Sequence, residues 1–238
     1  MTKVKICGIT RLEDARLALS LGAAEIGFIL APSPRRVEAP LVRDIISALR
    51  DDGSLAARRE ALGLPAFRAI GVFVNESPNA MQDVIGAADL DAAQIHGDEE
   101  PGVCALFDFP WYRAVRPSTP AEARKLAGAD WACPRILADA SVRGAYGGSG
   151  FSLAPEIAAA ARDAARGAGR EFFLAGGLGP SRVAQVILEL APDGIDLSSG
   201  VEEAPGRKSA ALLGALFEEV RRADREYMEG KEAAHAAR

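Results

Sequence analysis

The chain has 238 residues, 49% of them hydrophobic and 26% charged, the balance of a globular protein with enough length for one large α/β domain. A formal charge of −5 gives no general attraction to nucleic acid or to an anionic membrane, so an anionic ligand has to be met by a local site. No stretch approaches the roughly 20 apolar residues that span a bilayer, and the opening MTKVKICGIT lacks the apolar core of a secretory signal, so the expected location is cytoplasmic.

Short β-type runs recur along the chain: VKICG (4–8), EIGFIL (25–30), FRAIGVFV (67–74), AAQIHG (92–97), WYRAV (111–115), RILADA (135–140), FFLAGG (172–177) and GIDLSSG (194–200). Between them lie segments such as RLEDARLALSLG, SPNAMQDVIGAA, TPAEARKLAG and SRVAQVILEL, with apolar residues near i, i+3, i+4 and i+7, which predict helices. Thr10 and Thr119 stand where N-caps belong, and Gly22 and Gly128 where helices should stop. An eighth helix is expected over roughly 207–226. Eight alternating units without a dinucleotide fingerprint predict a single-domain (β/α)8 TIM barrel over 1–226, with a frayed C-terminal tail at 227–238. The segment 50–66 reads as a long irregular connection on the N-terminal face, away from the chemistry.

Cys7, Cys104 and Cys133 are odd in number and widely spaced, and are expected as free thiols. With only His96 and His235 and no CxxC pair, a zinc site of thiolates and imidazoles has too few ligands, so no such metal is expected, while counting alone leaves an oxygen-ligated magnesium site open.

Barrel enzymes carry their chemistry at the C-terminal ends of the strands, so those positions come first. AGGLGP (175–180) and the loop around DLSSG (196–200) each lead towards a helix. Glycine lets backbone N–H groups approach a phosphate there, and a helix N-terminus adds partial positive charge. Gly176, Gly177 and Leu178 with Ser198, Ser199 and Gly200 therefore form a predicted phosphate cup, and Gly147, Gly148, Ser149 and Gly150 after strand six are candidates for the same pocket. Cys7 ends strand one, where it is either a nucleophile or base or a small buried hydrophobe. Asp139 is a carboxylate in an apolar strand, which needs a partner or a job. Arg35 and Arg36 follow strand two, where a guanidinium can grip a substrate carboxylate in a bidentate fashion. Gln94 and His96 close strand four, the histidine reading as a hydrogen-bonded wall residue, and Asp196 could fix an arginine or a substrate hydroxyl.

Taken together, KICGIT (5–10), GFIL with SPR (27–30, 33–35), GVFVN (71–75), QIHGDE (94–99), the Asp139 strand with YGGSG (146–150), AGGL (175–178) and DLSSGVE (196–202) resemble the phosphoribosylanthranilate isomerase family of tryptophan biosynthesis. The resemblance implies an Amadori rearrangement of a phosphorylated small molecule with no cofactor, Cys7 as general base and Asp139 as general acid. It also implies that Arg35 holds the anthranilate carboxylate, although adjacent Arg36 leaves that choice open. Aldose–ketose isomerases of histidine biosynthesis present an aspartate on strand one, where this chain has Cys7. The expected assembly is a monomer or a homodimer, with neither nucleic acid nor membrane as partner.

Overall fold

In the computed structural model, which describes residues 1–140 and 153–236, eight parallel strands close on themselves in strictly sequential order. They are β1 (Lys3–Ile6), β2 (Glu25–Ile29), β3 (Arg68–Phe73), β4 (Ala92–Ile95), β5 (Trp111–Val115), β6 (Arg135–Asp139), β7 (Glu171–Ala175) and β8 (Gly194–Leu197). Pairing of Lys5 with Asp196 and Ile6 with Leu197 joins β1 to β8 and shuts the barrel. The (β/α)8 expectation holds.

Period-two alternation along each strand divides the apolar residues into two clusters. Ile70, Ala92, Tyr112, Ala114, Leu137, Phe173 and Ala175 fill the barrel interior. The other set, including Ile6, Ile26, Phe28 and Phe172, packs outward against the helices. Those helices are α1 (Leu12–Leu21), α2 (Ala39–Arg50), α3 (Gly53–Ala61), α4 (Pro78–Ala88), the single turn α5 (Pro101–Cys104), α6 (Pro120–Gly128), α7 (Pro155–Gly167), α8 (Pro180–Leu190) and α9 (Ala210–Ala236). In α2, Val42, Ile45, Ile46 and Leu49 fall on one face at helical spacing, and all four are buried.

Helix punctuation follows the sequence in part. Thr119 caps α6 by accepting from the Glu122 N–H, and Gly22 closes α1 at φ 126°. Thr10 does not cap α1: Arg11 occupies the N-cap position, and the Thr10 hydroxyl instead donates to the Gly206 carbonyl. The segment 50–66 is not irregular. Asp52 caps α3 by accepting from Ser54 and Leu55, and buried Arg59 donates to the carbonyls of Leu19, Ala23 and Pro65, which anchors the helix to the barrel.

The C-terminal helix also departs from expectation. Residues 202–208 form a small antiparallel ribbon, β9 (Glu202–Ala204) with β10 (Arg207–Lys208), and the helix begins only at Ala210. It then runs beyond 226 to Ala236 where a frayed tail was expected. Arg222 pairs with Glu219 and Glu226, and Lys231 lies over the Tyr227 ring, so local i, i+3 and i, i+4 contacts carry the helix outward.

The N-terminal floor of the barrel is closed by charge. Arg135 donates to both oxygens of buried Glu25 at 2.8 Å and to Glu171 at 3.0 Å, and its guanidinium lies 3.8 Å from the Phe173 ring centroid. Lys3 pairs with Glu171 as well. Among the described residues no helix is long and apolar enough to cross a membrane.

Candidate active site

The opposite end of the barrel is an open cavity of about 870 Å³, its mouth included. Cys7, Arg35, Gln94, His96, Asp139, Asp196, the 176–178 loop and the 198–200 loop all line it. The strand registers explain the convergence. Lys5 and Cys7 share the inward face of β1, as do Gln94 and His96 at β4, Leu137 and Asp139 at β6, and Asp196 and Ser198 at β8.

Beneath Cys7 sits a lysine that the sequence reading passed over. Lys5 is fully buried, donating to Asp196 Oδ2 at 2.8 Å and to Gln94 Oε1 at 3.0 Å. A β-carbon placed on Gly27 would lie 2.8 Å from Cys7 Sγ and 3.0 Å from Lys5 Nζ, so thiol and ammonium flank one glycine. Burial works against the Lys5 charge, but Asp196 and Cys7 outweigh it and hold the ammonium well above the ordinary lysine range. For Cys7, burial pushes the thiol up and Lys5 opposes it, with a net upward shift. The partner expected for Asp196 was an arginine or a substrate hydroxyl; the cation it meets is Lys5, and its Oδ1 is buried without a hydrogen bond among the described residues. The same clue that marked Asp139 could have found Lys5, since it too is a charge in an apolar strand, on the inward face with Cys7.

Across the mouth, Asp139 Oδ2 stands 3.3 Å from His96 Nε2. The other ring nitrogen, Nδ1, is 3.0 Å from Gln94 Nε2, while Gln94 Oε1 also accepts from the Tyr112 hydroxyl at 2.8 Å. The histidine is thus held in the wall through its Nδ1 contact with Gln94. Gln94 turns both ends of its amide to protein partners.

The two arginines after β2 diverge. Arg36 is exposed and pairs with Glu38 on the surface. Arg35 is buried, folds its stem across Gly8, and binds Glu202 through Nε at 2.9 and 3.0 Å and through Nη2 at 2.7 Å. Gly8 has φ 72°, and a β-carbon there would approach Arg35 Cδ to 2.7 Å, which accounts for glycine in KICGIT. Glu202 in turn receives Lys208 Nζ at 2.8 Å, and that ammonium also donates to the carbonyls of Cys7 and Ser198. Hydrogen bonds from Arg35 and Lys208 overcome burial and keep the Glu202 carboxyl below the usual range. Glu202 and Lys208 are a second pair that sequence reasoning missed, because their meaning depends on the ribbon that folds them back.

The loops after β7 and β8 touch backbone to backbone. A β-carbon on Gly200 would fall 1.8 Å from the Leu178 carbonyl oxygen, so only glycine permits this approach. Gly176 and Gly177 turn the chain with positive φ before α8, and Ser199 and Gly200 open a 3₁₀ turn (Ser199–Val201). Ser198 Oγ is buried without a hydrogen bond among the described residues. The 147–150 stretch lies outside those residues. Cys7, Cys104 and Cys133 are free and buried, and among the described residues no three His, Cys, Asp or Glu side chains gather as a metal site requires.

The family described as "N-(5'phosphoribosyl)anthranilate (PRA) isomerase" matches residues 4–219. A curated relative, the N-(5'-phosphoribosyl)anthranilate isomerase of Pseudomonas putida (strain W619), is 37% identical over 92% of this chain and 97% of its own. The crystal structure of phosphoribosyl anthranilate isomerase from Thermus thermophilus superposes with a TM-score of 0.76 at 36% identity, covering 92% of this chain and 98% of that one. A second isomerase structure, in complex with reduced 1-(o-carboxyphenylamino)-1-deoxyribulose 5-phosphate, gives a TM-score of 0.73 at 29% identity over 93% and 99% of the two chains.

Proposed function

From the premise that this chain belongs to the N-(5'-phosphoribosyl)anthranilate isomerase family, we propose that Cys7 and Asp139 are the base and acid of its reaction. That reaction is the Amadori rearrangement of N-(5-phosphoribosyl)anthranilate to 1-(2-carboxyphenylamino)-1-deoxyribulose 5-phosphate, a step of tryptophan biosynthesis. One observation carries the assignment: Cys7, Asp139 and Arg35 line a single cavity whose rim is the glycine-rich loops of β7 and β8.

Asp139 in its protonated form donates to the furanose ring oxygen as the C1′–O bond breaks, and the anthranilate nitrogen lone pair closes a protonated C1′=N bond. The positive charge makes the C2′ proton acidic. Cys7, as thiolate, removes it, and the C2′–H electrons form the C1′=C2′ bond of an enolamine. Protonation at C1′ and loss of the C2′ hydroxyl proton complete the ketone, with no net change in oxidation level. Burial holds the free thiol protonated, and Lys5 together with the cationic intermediate favours the thiolate at the moment it is needed.

Arg35, oriented by Glu202, takes the anthranilate carboxylate; its burial beside the cavity favours it over exposed Arg36. Gly176, Gly177, Leu178, Ser198, Ser199 and Gly200 hold the phosphate, and the unbonded Ser198 hydroxyl offers it a donor. Phosphate binding, remote from the reacting carbons, holds C2′ against Cys7 and the ring oxygen against Asp139. Asp196 Oδ1 is left to meet a ribose hydroxyl. The free thiols suit a reducing, cytoplasmic location. Assembly as monomer or homodimer is open to sedimentation velocity.

The test is loss of the substrate's anthranilate fluorescence when purified protein meets substrate made in situ, with a chelator present. Steady turnover supports the reading, and its absence in properly folded protein defeats it.

A further inference from the structure

Four side chains between the barrel centre and Asp139 fix one another's protons. Lys5 Nζ has only donors, so the Gln94 atom 3.0 Å away is the carbonyl oxygen; the Tyr112 hydroxyl donates to the same oxygen. The amide NH₂, which also has only donors, is then the group 3.0 Å from His96 Nδ1. Nδ1 has to accept, and the ring's single proton is left on Nε2, which is buried, lacks a well-aligned hydrogen bond among the described residues, and stands 3.3 Å from Asp139 Oδ2.

We propose that Lys5 and Gln94 are positioning residues that lock His96 as the Nε2–H tautomer and aim that proton at Asp139 Oδ2. The inference rests on the reading of Asp139 as the general acid and says how that acid is kept usable. A proton on Nδ1 would face the amide NH₂, donor against donor, so Gln94 selects the Nε2–H tautomer. The Nε2–H facing Asp139 Oδ2 stabilises the carboxylate formed once the proton has left, so the acid can give its proton up.

His96 and His235 are the two histidines of the chain, so His235→Gln leaves one imidazole to observe. Long-range proton–nitrogen correlation on histidine-labelled protein at neutral pH reads the tautomer without any turnover. The expected result is the Nε2–H pattern. Gln94→Glu replaces the donor facing Nδ1 with an acceptor and is expected to draw a proton onto Nδ1, lowering kcat about tenfold, less than the loss of the acid itself, with KM little changed. Gln94→Met, which removes the lock without adding charge, is expected to give a mixture of tautomers and guards against misfolding of the first variant. An Nδ1–H or cationic ring in the parent, or an unchanged pattern in both variants, overturns the proposal. Failure of the isomerase reading would show as absent turnover with the Nε2–H pattern intact.

Discussion

The two ends of this barrel bury charge in opposite ways. At the floor, Arg135 has Glu25, Glu171 and the Phe173 ring around it, and both oxygens of Glu25 are occupied. At the mouth, Lys5 and Asp196 form a pair of similar burial, yet Asp196 Oδ1 and Ser198 Oγ lack hydrogen bonds among the described residues. A buried polar atom without a partner costs free energy, and these two line the cavity, where a ligand can supply the partner. The floor pairs its charges internally, and the mouth, on the proposed function, leaves polar atoms for substrate.

That contrast breaks most visibly at Arg135. Arg135→Met leaves Glu25 buried without its bidentate partner and should lower the unfolding free energy by about 3–5 kcal/mol, read by denaturant titration, while kcat at a permissive temperature stays near the parent value. Cys7→Ser should do the reverse, lowering kcat at least about 10²-fold, the scale of a lost general base, with little change in unfolding. Gly200→Ala is intermediate: its β-carbon meets the Leu178 carbonyl, so the two phosphate loops must separate, and KM should rise more than kcat falls.

Arg35→Ala should weaken binding of carboxylated product analogues while leaving inorganic phosphate nearly unaffected, and Arg36→Ala should change neither; calorimetric titration separates the two arginines. The smallest effect is on pH. Burial pushes the Cys7 thiol up and the base acts as thiolate, so in Asp139→Asn, where no acid has to stay protonated, the residual kcat/KM should climb with pH through neutrality. A plateau reached below neutrality would mean that Lys5 overrides burial.

The barrel was legible because its signals are local: eight β-type runs, helical spacing between them, and glycines at the strand ends. Cys7, Arg35, Asp139 and Asp196 were legible as polar residues at the positions where this fold does chemistry. What stayed hidden depends on distance along the chain. Lys5 means little until β8 closes the barrel and brings Asp196 to it from 191 positions away. Glu202 and Lys208 acquire their role only when the β9–β10 ribbon folds back on Arg35, a turn with no strong pattern of its own. Helix α3 was a different miss: the Asp52 cap was present in the sequence, but a run of arginines and alanines with little apolar stripe concealed the helix that follows it.

The sharpest test measures kcat and unfolding free energy together in Asp139→Asn at the mouth and Arg135→Met at the floor. Asp139→Asn should lose at least about 10² in kcat and almost nothing in stability, and Arg135→Met should lose stability while its kcat persists. Parent-like turnover in Asp139→Asn, or equal losses of rate and stability in both variants, would contradict the division of the barrel into a floor that stabilises and a mouth that reacts.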